Sequence, residues 1–194
     1  IQSKVLVVDE MKLPDTWVLK IPGMHNRYNA ALALAVARAY GINDDISRKA
    51  LTSFAGVPGR LELIAEKKGV KVYNDTTATT PEATMVALKA LGSEKNIVLI
   101  MGGTDKGLDM NTLLAEIPQY VKRTILLAGT GTSRILQWIP DASVFDTLEA
   151  AVTEAFSSAE SGDIILLSPA FASFGMFKNE YDRGDQFNAL VKAL

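Results

Sequence analysis

An α/β fold, with a mainly parallel Rossmann-like sheet and helices on both faces, is predicted for the chain from Arg60 onward. Two observations predict it. Short apolar runs suited to strands, at 61–65, 70–73, 97–101, 124–127, 143–145 and 164–167, alternate with amphipathic segments suited to helices, at 81–91, 111–117, 133–138, 148–159 and 183–194. The last run, Ile164-Ile165-Leu166-Leu167, is apolar throughout, as in a strand covered on both faces, and Ser168-Pro169 ends it.

Before Arg60 the pattern is different. Residues 4–9 and 16–19 read as two short strands joined by a turn at Pro14-Asp15, the tail of a sheet, and Ile21-Pro22-Gly23 breaks it. From Tyr28 to Tyr40 the chain is almost continuously apolar apart from Arg38, which predicts a helix buried on most sides and stopped by Gly41. Asn43 or Asp44 caps a second helix, with Ile46, Ala50, Leu51 and Phe54 on one face. Gly56-Val57-Pro58-Gly59 then separates this helix pair from the strand–helix alternation, so a domain boundary is expected there.

Composition bounds the function. The chain has 194 residues, 48% of them hydrophobic, enough for one α/β domain and part of a second. With 20 Lys and Arg against 22 Asp and Glu the net charge is -2, so nothing favours nucleic acid or an anionic membrane, and any anion site must be local. Cysteine is absent and His25 is the single histidine, which excludes disulfides, thiolate metal sites and His-rich zinc arrangements. No apolar run is long enough to span a membrane, and Val5 to Val8, flanked by Lys4 and Asp9, is too short for a signal peptide. A cytoplasmic location is expected. The first residue, Ile1, predicts a natural amino terminus further upstream.

Candidate chemistry gathers in loops that follow strands, where open α/β sheets hold their ligands. Asn74-Asp75-Thr76-Thr77-Ala78-Thr79-Thr80-Pro81 is hydroxyl-rich and opens a helix, where hydroxyls and helix-start amides hold carboxylate or phosphate oxygens; one of Thr79 and Thr80 is expected to cap that helix. Gly102-Gly103-Thr104-Asp105-Lys106-Gly107 exposes backbone amides and adds a point charge at Lys106. The stretch from Ser168 to Arg183 combines small residues with a dense polar set. A fourth loop, Ala128-Gly129-Thr130-Gly131-Thr132, matches neither a Walker loop nor a dinucleotide fingerprint and is read as structural. His25, Asn26 and Asn29 group at a helix start, where imidazole and amides can meet a base or phosphate.

Five motifs in order, Pro22 to Asn29, Gly56-Val57-Pro58-Gly59-Arg60, Asn74 to Pro81, Gly102 to Gly107 and Leu167 to Gly184, resemble the Mur ligases, ATP-dependent amino-acid ligases of peptidoglycan synthesis, and in particular the branch that adds D-glutamate. The likeness runs over nearly the whole chain. It implies that residues 1–55 are the carboxyl-terminal remnant of the central ATP-binding domain, 56–60 a hinge linker, and 61–194 the Rossmann-like carboxyl-terminal domain that brings the amino acid. In the family ATP phosphorylates the carboxylate of UDP-MurNAc-L-alanine, and the D-glutamate amine displaces phosphate from the acyl phosphate. The resemblance implies a nucleotide site at His25, Asn26, Asn29, Arg60 and Asp75. It also implies that Thr79 and Lys106 bind the α-carboxylate of D-glutamate, that Ser173 binds the side-chain carboxylate, and that the backbone at Glu180 assists. No catalytic residue and no metal ligand is assigned here; Mg2+ ligands are expected in the rest of the central domain.

The chain departs from the family pattern at three positions: Thr77 stands where lysine is common, Gly59 where histidine is common, and Glu180 precedes the aromatic Tyr181. The phosphate loop G-x-x-x-x-G-K-[ST] is not in the sequence, so the chain alone is expected to be inactive. It is expected to be a monomer. The alternatives are a Mur ligase adding another amino acid and a non-catalytic Rossmann-like module that binds a nucleotide or a protein.

Overall fold

The structure, a computed structural model, describes residues 12–92 and 94–194 and divides the chain into two compact units, residues 1–56 and 57–194. The strand expected at 4–9 lies outside the described residues.

In the first unit two helices, α1 (Met24–Ala39) and α2 (Asp44–Ser53), follow an irregular segment. No strand forms at 16–19, contrary to the sequence pattern. The Arg27 guanidinium, on the first turn of α1, accounts for this: it donates to the carbonyls of Leu13 (3.0 Å), Pro14 (3.2 Å) and Trp17 (3.0 Å), so the acceptors a ladder would use are taken by a side chain. Helix α1 buries one stripe, Ala30, Ala31, Leu34 and Ala35, against Leu13 and Trp17, rather than most of its surface; Val36 and Tyr40 are exposed. Helix α2 is capped by Asn43, whose side chain accepts from the Asp45 amide at 2.7 Å. Its inner face also differs from the expected one: Ser47 is buried and Leu51 half-buried, while Ile46 and Phe54 are exposed.

The second unit runs β1 (Glu62–Lys67), β2 (Val70–Asn74), α3 (Pro81–Leu91), β3 (Ile97–Gly102), α4 (Asn111–Tyr120), β4 (Val121–Leu127), α5 (Thr130–Ile135), β5 (Ser143–Phe145), α6 (Leu148–Ser158), β6 (Ile164–Leu167) and α7 (Glu180–Ala193), with a 3-10 turn over Leu136–Trp138. Strands β1 and β2 form an antiparallel hairpin turned by Lys68 and Gly69, both at positive φ, as a two-residue turn between twisted strands requires. The other pairings are parallel, and the sheet order is β1-β2-β6-β3-β4-β5.

Burial follows from this order. Strands β3 and β6 lie inside the sheet and are buried at every residue. Alternate side chains serve opposite layers: Ile97, Leu99 and Met101 pack with Leu88 of α3 and Leu113 of α4, whereas Val98 and Ile100 pack with Val152 of α6 and Phe187 of α7. From β3 the chain winds outward through β4 to β5, then α6 carries it back to β6. Direction reverses between β3 and β6, so the loops leaving β2, β3 and β6 crowd together at one end of the sheet, the usual ligand position of such folds.

Candidate functional site

The glycine-rich loop after β3 is built to lie against its neighbours. Gly103 has φ 133, and a Cβ there would stand 2.4 Å from the Ala172 carbonyl oxygen. That closeness allows a two-residue antiparallel bridge: the Thr104 amide donates to Ala172 O at 2.9 Å and the Ala172 amide to Thr104 O at 3.1 Å. Thr104 Oγ1 adds a bond to Phe174 O at 2.5 Å. The loops after β3 and β6 therefore form one piece of backbone.

The loop after β4, read as structural from the sequence, bonds to the loop after β3. The Gly131 amide donates to Gly103 O at 2.9 Å, and Thr130 Oγ1 accepts from the Asp105 amide at 3.0 Å. Arg134 of α5 reaches across to Asp105 Oδ1 at 2.6 Å and to the Leu108 carbonyl. Its guanidinium holds the Asp105 carboxyl below the usual range. The turn bearing Lys106 is thus tied on both sides.

Lys106 and Thr79 come together. Lys106 Nζ donates to Thr79 Oγ1 at 3.2 Å, joining the loops after β3 and β2. Thr80, not Thr79, caps α3, its hydroxyl taking the Ala83 amide at 3.4 Å, which leaves Thr79 free to face Lys106. Ser173 lies on the loop after β6 and is 4% exposed. Glu180 opens α7, so its amide belongs to the first turn, where donors have no partner within the helix; Asn179 caps that turn by accepting from the Asp182 amide at 2.9 Å. Ala170 precedes the loop in a left-handed conformation, φ 62, held by its amide bond to Ala78 O at 2.9 Å.

Asp75 is buried and hydrogen-bonded through both oxygens. It is 7% exposed, Oδ1 accepts from the Leu61 amide at 3.0 Å, and Oδ2 lies 2.8 Å from Ser168 Oγ, itself 3.0 Å from Thr84 Oγ1. Burial pushes its carboxyl up to about 6, against the opposing pull of Ser168, Leu61 and the charge of Arg60. Arg60 itself is exposed, in a turn closed by its amide on Val57 O at 3.1 Å. Thr77, at the position where the family commonly has lysine, fastens the start of the domain: its amide (3.1 Å) and hydroxyl (2.9 Å) both donate to Gly59 O.

The burial of one residue escaped the sequence reading. Arg183, in the charged run Glu180 to Asp185, is wholly buried, with Nε 3.0 Å from Thr76 Oγ1, Nη2 2.7 Å from Thr76 O and Nη1 3.4 Å from Phe171 O. Gly184 lets α7 come that close, since a Cβ there would meet Thr76 Cγ2 at 2.6 Å. Thr76 Oγ1 also donates to Glu180 O at 2.7 Å. The useful signal was glycine after arginine, a cue to close helix packing.

In the first unit, His25, Asn26 and Asn29 lie in the first turns of α1. Asn26 Nδ2 donates to Pro22 O at 2.7 Å, Asn29 is exposed, and partial burial lowers the His25 imidazole below its ordinary range, favouring its neutral form. Amide and neutral imidazole groups of this kind suit a purine edge. Among the described residues no three His, Asp or Glu side chains cluster to hold a metal ion, and no helix is long and apolar enough to cross a membrane.

The chain is similar to known proteins. A UDP-N-acetylmuramoylalanine--D-glutamate ligase of Roseiflexus sp. is 43% identical over 182 residues, covering 90% of this chain and 39% of the relative. Relatives so named are longer, and the chain spans 36% to 46% of the length of three of them. Among solved structures, UDP-N-acetylmuramate-alanine ligase MurC of Thermotoga maritima superposes with a TM-score of 0.69 at 18% identity, covering 90% of this chain and 39% of that one. MurF ligase of Thermotoga maritima in complex with ADP gives 0.62 at 23%, covering 86% and 38%. These two likenesses establish the fold alone. The model of the Mur ligase glutamate ligase domain matches residues 59–171, most of the second unit, and the chain belongs to the Mur ligase family.

Proposed function

We propose that this chain is the amino-acid-binding part of an ATP-dependent ligase that adds D-glutamate to UDP-MurNAc-L-alanine in peptidoglycan precursor synthesis. The observation that carries the reading is the meeting of Lys106 Nζ and Thr79 Oγ1, 3.2 Å apart, on adjoining strand-end loops. An ammonium and a hydroxyl at that spacing can share one carboxylate through charge-assisted hydrogen bonds. Ser173, buried on the loop after β6, and the helix-start amide of Glu180 supply donors for a second carboxylate. Two carboxylate grips on one rigid loop cluster suit a dicarboxylic amino acid. The relatives named as D-glutamate ligases support that choice of amino acid over the other Mur substrates.

In this reading the domain acts by position. Both carboxylates being held, the amine is presented in a fixed direction and reacts as if at high local concentration. ATP supplies the activation of the acceptor carboxylate. His25, Asn26, Asn29 and Arg60 are the residues proposed to face the nucleotide. Asp75, each of whose carboxylate oxygens takes one protein hydrogen bond and keeps a further lone pair, is proposed with Arg60 to reach the phosphate and ribose. Mg2+ is proposed to accompany ATP, held by residues other than these. The protein is proposed to work as a cytoplasmic monomer.

The test is a calorimetric titration of the chain with D-glutamate, repeated on Lys106→Ala. Losing one hydrogen bond to a charged group is expected to weaken binding by about 10- to 100-fold. Equal affinities would remove Lys106 from the site and with it this reading.

A further inference from the structure

Arg183 carries a charge that the described residues do not balance. It is the largest fully buried side chain among them, 0% exposed, and its three contacts are with neutral oxygens: Thr76 Oγ1, Thr76 O and Phe171 O. None of the ion pairs within 4.0 Å among the described residues includes it. Glu180 is the acid whose field reaches it, without closing to a salt bridge. Hydrogen bonds satisfy the N–H groups of a buried guanidinium but leave its net charge, and a buried unpaired charge is expensive to keep. A purely structural strut between Thr76 and Phe171 does not require that expense.

The position of the charge supplies a reason. Phe171 precedes Ser173 by two residues, and chain covers at most about 3.6 Å per residue, so Ser173 lies within roughly 13 Å of the guanidinium. Thr76, its other contact, belongs to the loop that carries Thr79. A carboxylate bonded to Ser173 then lies within roughly 16 Å of that charge, which at an effective dielectric of about 20 changes its binding by about sixfold or more.

We propose that Arg183 is the buried counter-charge of the strand-end site, selecting a dicarboxylate ligand over its neutral amide by field rather than by contact. It rests on the D-glutamate reading above and deepens it: Lys106 meets one carboxylate directly, while Arg183 sets the potential felt by the other. Arg183 is a positioning residue. Its three neutral bonds fix where the charge sits.

The test compares D-glutamate with D-glutamine, and glutarate with glutaramide, by calorimetry and thermal shift on the whole chain. Wild type is expected to favour each acid over its amide, and Arg183→Met to lose about sixfold or more of that preference. Arg183→Lys, which keeps the charge but cannot make all three bonds, is expected to melt lower yet keep the preference within about threefold. Should Arg183→Met fail to fold, Arg183→Gln, with an amide N–H for the Thr76 carbonyl, makes the same comparison. If the variants weaken acid and amide equally, or if wild type responds alike to glutarate and glutaramide, the inference is overturned. Arg183-dependent stabilisation by glutarate without D-glutamate binding would retain the counter-charge and sink the ligase reading.

Discussion

Replacing Asp75 by asparagine should make the protein more stable at neutral pH and change little in acid. The carboxyl is raised from an ordinary 3.8 to about 6 because it is buried. Its folded value lies above its unfolded one, so between those values the native chain binds more protons than the unfolded chain. Stability therefore falls as pH rises through that window, and the full cost, about 3 kcal/mol, is present above roughly pH 7. The hydrogen-bond geometry accommodates the neutral form. A protonated Asp75 can donate to Ser168 Oγ, Ser168 to Thr84 Oγ1, and Thr84 to Ser168 O at 3.2 Å, each hydroxyl proton being used once. Asparagine reproduces this, its Nδ2 donating to Ser168 and its Oδ1 accepting from Leu61. Urea denaturation of both proteins at pH 4 and pH 8 measures the effect: a gain approaching about 3 kcal/mol for Asp75→Asn at pH 8, and under about 1 kcal/mol at pH 4. An Asp75→Asn protein that is destabilised equally at both pH values would refute burial as the governing cause.

Two further substitutions test the loop cluster. Gly103→Ala combines a φ of 133 with a Cβ 2.4 Å from the Ala172 carbonyl, so it should cost several kcal/mol, on the order of 2–4, and lower the melting temperature; an unchanged melting curve would contradict the bridge between the two loops. Arg134→Met should behave in the opposite way. The Arg134–Asp105 pair has side chains 35% and 28% exposed, so its loss should cost under about 1 kcal/mol of stability, yet Lys106 loses its fixed support and D-glutamate affinity should fall several-fold in the same titration. A large stability loss with unchanged affinity would reverse that assignment.

The strands and most helices of the second unit were legible because apolar runs and turn residues act locally. Ser143–Phe145, Ile164–Leu167 and the helix Pro81–Leu91 fall where period and capping put them. Helix α7 begins at Glu180, three residues earlier than the apolar pattern implied, because Asn179 caps it; a capping residue outweighs the absence of apolar side chains in a first turn. Where a distant partner decides, sequence reasoning stopped short. The expected strand at 16–19 was displaced by carbonyl bonds to Arg27, ten or more residues away. The pairing of Thr79 with Lys106 followed from strand-end loops and the family likeness together, whereas the burial of Asp75 and Arg183 depends on contacts with Ser168 and Phe171, which local pattern does not encode. A charged residue in a charged run reads as solvated, and only the close packing at Gly184 says otherwise.

The place of β6 in the sheet also sets the order in which this domain can become functional during synthesis. It is the last strand made, yet it lies between β2 and β3, which have no pairing with one another. Until it arrives, the hairpin β1-β2 and the ribbon β3-β4-β5 are separate pieces with open inner edges, prone to pair with other chains. Thr79 hangs from one piece and Lys106 from the other. The carboxylate grip is therefore assembled by the same event that closes the sheet, and a chain truncated after Phe145 carries the residues for half a site on each of two unjoined sheets.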